Sequence, residues 1–214
     1  KESELVIKYF NDRLPKYNLE KVGFREKLWY YKAHLWYSFL MQDYLNCYKY
    51  ASKWVNLFHE NPSMINLNPV FYLKGNNYLL ESIYFIRNKP KFVKKLEHFK
   101  ITVNNAKFNK DENVSTLIFL YTNFHSINHY FIDGNFEEGV ELIPKIEKEL
   151  LLFKDRIDPH HKMIFYYKFA SLHFGAGNNK ACIKYLDKII SNKSLSMRED
   201  LLCFSRVLNL VAHY

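Results

Sequence analysis

Residues that interrupt a chain are scarce here: the 214 residues include six glycines and six prolines. That scarcity disfavours both disorder and a turn-rich β architecture. Cysteine is limited to Cys47, Cys182 and Cys203, with no C-x-x-C among them, so no disulfide framework is expected. No run of eighteen apolar residues exists, so no membrane span is expected, and Lys1-Glu2-Ser3-Glu4 is not a signal peptide. Catalytic signatures are missing too. There is no P-loop, no G-x-S-x-G and no H-E-x-x-H, and Gly175-Ala176-Gly177 follows a helical pattern rather than a strand, which excludes a dinucleotide fingerprint. No catalytic residue, metal or cofactor is assigned, and an enzyme is the least favoured class.

What is present is apolar and aromatic. Hydrophobic residues make up 48% of the chain and aromatic ones 18%, enough for an extensive core. The net charge is +9, from 31 Lys and Arg against 22 Asp and Glu. A basic chain favours acidic partners. Its densest basic run, Lys89 to Lys100, holds five Lys with Phe92, Leu96 and Phe99 between them at helical spacing. This reads as a solvated helix face rather than a nucleic-acid stripe.

Apolar periodicity divides the chain into helices. A short helix from Ser3 to Leu14 ends at Pro15, and a connector runs to Gly23, so residues 1–23 could be the end of a preceding repeat. Helical hairpins are expected over 24–61, 68–103, 113–155 and 158–192, with a last helix over 196–214 opened by the capping box Ser196-x-x-Glu199. Asn68-Pro69 and Asp158-Pro159 mark helix starts, and Asn113 or Ser115 is expected to cap the helix that follows. Pro144 falls inside an otherwise helical pattern, so a kink is expected there. The turn markers Gln42, Pro90, Gly134 and Gly177 are spaced 48, 44 and 43 residues apart, a near-constant period. Because the chain starts with Lys and the last helix has no terminator, a longer parent protein is expected. A cytoplasmic location is the default.

The hairpin over 158–192 carries the sharpest motif. Tyr166, Phe169, Ala170 and His173, then Cys182 and Leu186, fit by kind the signature W-x2-L-G-x2-Y followed by A-x3-F. Ala170 and Cys182 supply small residues where two helices cross, and the rings around them fill the remaining volume. In these residues the chain resembles the tetratricopeptide repeat family. Gly139 takes the small-residue position of the hairpin before. Register in the first hairpin stays open between Tyr31, Leu35 and Ser38 and the alternative Trp29, Ala33 and Trp36.

The resemblance implies an all-α, right-handed superhelical array of antiparallel hairpins, a tetratricopeptide-like solenoid that binds a protein or peptide in its concave groove without catalysis. The first helix of each hairpin would line that groove. Its recognition residues would be Tyr167, Ser171 and Phe174 in the last hairpin and Phe124, Asn128 and Phe131 in the one before. Leu80, Tyr84 and Arg87 would serve in the second, and Lys32 and Trp36 in the first. Two alternatives remain: the sensory module of a larger regulatory protein, and an RNA-binding helical repeat. His125 and His129 lie four apart on one helix but read as helix-surface histidines rather than metal ligands, and His160 and His161 as exposed polar residues. His173 reads as a packed histidine. The partner's identity and the oligomeric state are not encoded in any motif.

Overall fold

In the computed structural model, residues 2–14, 18–105, 111–192 and 199–214 are described, and among them the regular structure is entirely helical. The chain divides into two compact units, residues 1–114 and 115–214. The first holds α1 (Glu2–Arg13), α2 (Phe24–Leu40), α3 (Tyr44–Glu60), α4 (Ser63–Leu67), α5 (Pro69–Phe85) and α6 (Lys89–Asn105). The helix α7 (Glu112–Asp133) leads into the second unit, which continues with α8 (Phe136–Glu141), α9 (Ile143–Leu152), α10 (Pro159–Gly175), α11 (Asn179–Ile190) and α12 (Glu199–His213). Among the described residues, no helix is long and apolar enough to cross a membrane.

The turns explain why the helices pair. Among the described residues, four have left-handed backbone at the end of a first helix: Gln42 (φ 55), Arg87 (φ 54), Gly134 (φ 74) and Gly177 (φ 73). At three of them the next amide reaches back five residues into the helix just ended. Asp43 N donates to Ser38 O at 2.9 Å, Asn88 N to Ile83 O at 3.3 Å, and Asn178 N to His173 O at 2.8 Å. This is the Schellman closure, which satisfies carbonyls the helix end leaves unpaired. The same Asx residues then cap the next helix, accepting from Asn46 N at 3.0 Å, Lys91 N at 3.1 Å and Ala181 N at 3.2 Å. One residue therefore ends a helix through its backbone and starts the next through its side chain.

These turns correct one landmark. The second turn is organised on Arg87, not on Pro90, which lies inside α6. Two caps also differ from expectation. Asp111, rather than Asn113 or Ser115, accepts from Val114 N at 3.0 Å, and Asn68 precedes α5 without a side-chain capping bond. The expected Ser196 cap falls outside the described residues, although α12 itself is present. Pro144 produces a break, not only a kink. Leu142 ends α8 and opens α9, so the proline sits in a first turn where its missing N–H leaves no bond unmade. The short helix α4 had no signal strong enough to be expected.

Packing follows the hairpins within each unit. In the first, α3 packs on both α2 and α5, and α5 packs on α6. Leu35, Ser38, Cys47 and Ala51 are buried there, whereas Trp29 and Trp36 stay half exposed. Burial thus selects the register through Leu35 and Ser38. In the second unit α10 contacts α8, α11 and α12, with Phe169, Ala170, Cys182 and Leu186 fully buried between helices.

Close approach depends on missing side chains. A Cβ on Gly75 would lie 2.8 Å from Cδ1 and 2.9 Å from Nε1 of Trp54, which is fully buried. At Gly139 it would meet Leu172 Cδ2 at 2.7 Å and Tyr130 Cβ at 3.0 Å. The first contact has no soft side, because the indole is enclosed. We expect Gly75→Ala to lower unfolding stability by about 1 to 3 kcal/mol, despite an intrinsic helix gain of up to about 1 kcal/mol. An unchanged denaturation midpoint would contradict this packing. Gln42→Gly and Arg87→Gly should raise stability by about 1 kcal/mol each, since only the left-handed strain is removed; a drop in either midpoint would show that the φ assignment is wrong.

Candidate peptide-binding surfaces

In the second unit, α7 and α10 lie side by side. Phe124 meets Phe165 with ring centroids 4.4 Å apart, and the Phe119 and Phe165 centroids lie 5.7 Å apart. Between these helices Lys168 Nζ donates to Asn128 Oδ1 at 2.5 Å and stands 5.9 Å from the Phe124 ring and 5.5 Å from the Phe131 ring. Three of the expected recognition residues, Phe124, Asn128 and Phe131, are thus gathered around one ammonium that the sequence reading did not single out. Asn128 is 6% exposed, so its amide is held by Lys168 and by His125 Nδ1 at 3.5 Å rather than projecting freely.

The α10 residues are less uniform. Ser171 donates its hydroxyl to Tyr167 O at 2.9 Å, which keeps it on its own helix. Tyr167 packs on the cluster of Met163, Ile189 and Leu201, so part of its ring belongs to the core. Phe174, at 36% exposure, is the most open of the three.

The first unit repeats the side-by-side arrangement with α2 and α5. Trp29 meets Phe71 at 5.9 Å and Trp36 meets Tyr78 at 5.9 Å, both edge-on. Lys32 Nζ lies 4.5 Å over the Trp29 ring and 5.9 Å from that of Phe71. Burial, together with the charge of Lys74, lowers the Lys32 pKa. Leu80 is buried, Arg87 forms the exposed turn, and Tyr84 turns its ring toward Phe92 at 6.4 Å inside its own hairpin. Alignment on Arg87 rather than Pro90 moves the second hairpin's equivalent positions three residues back, to Asn77, Glu81 and Tyr84. Sequence held a signal that was missed. Trp29 and Trp36, Phe71 and Tyr78, Phe124 and Phe131, and Tyr167 and Phe174 are each seven residues apart, so every first helix carries at least one such ring pair.

The histidines divide by environment. His125 is buried, which corrects its reading as a surface residue, and His129 faces Asp133 at 3.6 Å instead of sharing a ligand with it. His161 is half-buried and pairs with the capping carboxylate of Asp158, Nδ1 to Oδ2 2.5 Å. Burial raises the Cys47 thiol pKa to about 12 and that of Cys182 to about 11, while Cys203 is exposed. No family model, curated protein or solved structure matches the chain.

His173 is packed, as its signature position implies. Its ring stacks on Tyr185 at 5.6 Å with planes 13° apart, and Nδ1 is buried without a hydrogen-bond partner among the described residues. Burial lowers its pKa below the ordinary 6.5, partly offset by Glu147. The unfolded chain then binds the proton more readily, so the stability from neutral His173 is full above about pH 6.5 and is lost as pH falls through that value. His59, also lowered by burial, adds to the same slope. His173→Phe should therefore flatten, without abolishing, the fall in urea midpoint between neutral and mildly acid pH. A slope equal to that of the wild type would place the titration elsewhere.

Proposed function

We propose that this chain is a non-enzymatic protein-interaction module that binds a peptide or protein segment along the outward faces of its first helices. The observation that carries the reading is the ring pair on each of these helices, set beside an ammonium or amide. Lys32 lies between Trp29 and Phe71, and Lys168 with Asn128 lies among Phe124 and Phe131. Half-exposed rings cover apolar side chains of an extended segment, and the ammonium groups hold its backbone carbonyls and carboxylates. Positive net charge favours acidic segments.

The tetratricopeptide-like fold belongs to the same proposal. Its support is the left-handed turn recurring at Gln42, Arg87, Gly134 and Gly177, and the pairing of successive first helices inside each unit. The right-handed superhelix and the groove implied by the resemblance stand on that support.

Panning a displayed library of random decapeptides against the protein tests the function. At least one class of enriched peptides should bind the wild type and lose about tenfold in affinity when Phe131→Ala is combined with Lys168→Gln, with the melting temperature held. Failure to enrich any peptide, or salt-sensitive binding of an oligouridylate in its place, would overturn the reading.

A further inference from the structure

The helix α1 leaves a cleft of about 400 Å³ against α2. Its walls are unusually aromatic for a surface. Trp29, Trp36 and Tyr9 line it and remain 48%, 49% and 53% exposed, and Ala33 lies among them with a small side chain. Phe10 fixes α1 in place, its ring 5.3 Å from that of Tyr37 on α2.

Two cations line the same cleft, and both are held by ring faces. The Arg13 guanidinium carbon stands 4.0 Å over the Tyr9 ring, with Nη1 donating to Tyr9 O at 3.4 Å, and Lys32 Nζ stands 4.5 Å over Trp29. No carboxylate is among the lining residues, and among the described residues neither cation has an acidic group within ion-pair distance. Lys32 instead faces the like charge of Lys74. Cation–π contact orients an ammonium without neutralising it. An entering anion would therefore meet two oriented and uncompensated positive groups beside open ring faces.

We propose that the cleft between α1 and α2 binds a short acidic peptide segment, with an aromatic side chain against Trp29 and Trp36 and a neighbouring carboxylate on Lys32 and Arg13. Charge complementarity selects the anion, and the ring faces select what flanks it. Two cations converging on one cleft suit one or two carboxylates. A nucleic-acid strand would need cations spaced along a track of phosphates. The site rests on the reading of the chain as a peptide-binding module, and adds a place and a composition to it.

The library experiment separates the two claims when run on three proteins: wild type, Arg13→Gln with Lys32→Gln, and Phe131→Ala with Lys168→Gln. The Gln changes keep most of each stem, and circular dichroism with melting confirms the fold. Peptides with an acidic residue next to an aromatic one should be enriched on the wild type and on the Phe131/Lys168 variant, and reduced about tenfold on the Arg13/Lys32 variant. A synthetic copy of an enriched peptide that lacks Trp should shift the protein's tryptophan emission, because Trp54 is fully buried and Trp29 and Trp36 are exposed. Absence of an acidic–aromatic class among the enriched peptides, or equal retention of that class on the Arg13/Lys32 variant, would remove this site and leave peptide binding intact. No enrichment on any protein would remove both, and displacement of the peptide by decauridylate at equal charge would assign the cleft to polyanions.

Discussion

Both units depend on the chain reversing direction within two or three residues at a left-handed backbone position. A helix end leaves carbonyls without partners, and the Schellman bonds at Ser38, Ile83 and His173 satisfy them without lengthening the connection. The following Asp43, Asn88 or Asn178 caps the next helix at once. With so short a link, the second helix can only run back along the first. Antiparallel contact, small residues at the crossing and a fixed outward face on the first helix all follow from that reversal.

The same turn shows why two hairpins were easier to read than the others. Glycine supplies the left-handed residue at Gly134 and Gly177, and there the sequence places both the turn and the small-residue crossing correctly. Gln42 and Arg87 adopt that conformation against their intrinsic preference, and no local rule marks them. Pro90 was the visible punctuation near the second turn, and anchoring there shifted the equivalent positions by three. Gly75 was overlooked for a related reason. Its meaning lies in the Trp54 ring on another helix, which lies 21 residues earlier in sequence.

The geometry of the candidate surface was legible in part. Helical spacing correctly grouped Phe124, Asn128 and Phe131, because residues four and seven apart share a face. It could not show that Lys168 from a neighbouring helix stands among them, nor that Tyr167 gives part of its ring to the core. Lys32 and Trp36 were named as a pair, but the cleft they share with Tyr9 and Arg13 needs a helix whose docking Phe10 and Tyr37 decide together. Buried His125 shows the same limit, since one helix face cannot be called surface until its neighbours are known.

The turn geometry makes its own demand on amide exchange. In the folded chain the Asp43, Asn88 and Asn178 amides lie outside helices yet donate back to Ser38, Ile83 and His173. Site-resolved hydrogen exchange tests the account most directly. It predicts protection at these three positions comparable to that of the adjoining helical turns. Exchange there at the rate of an open loop would contradict the recurring reversal on which hairpins, crossings and outward faces are built.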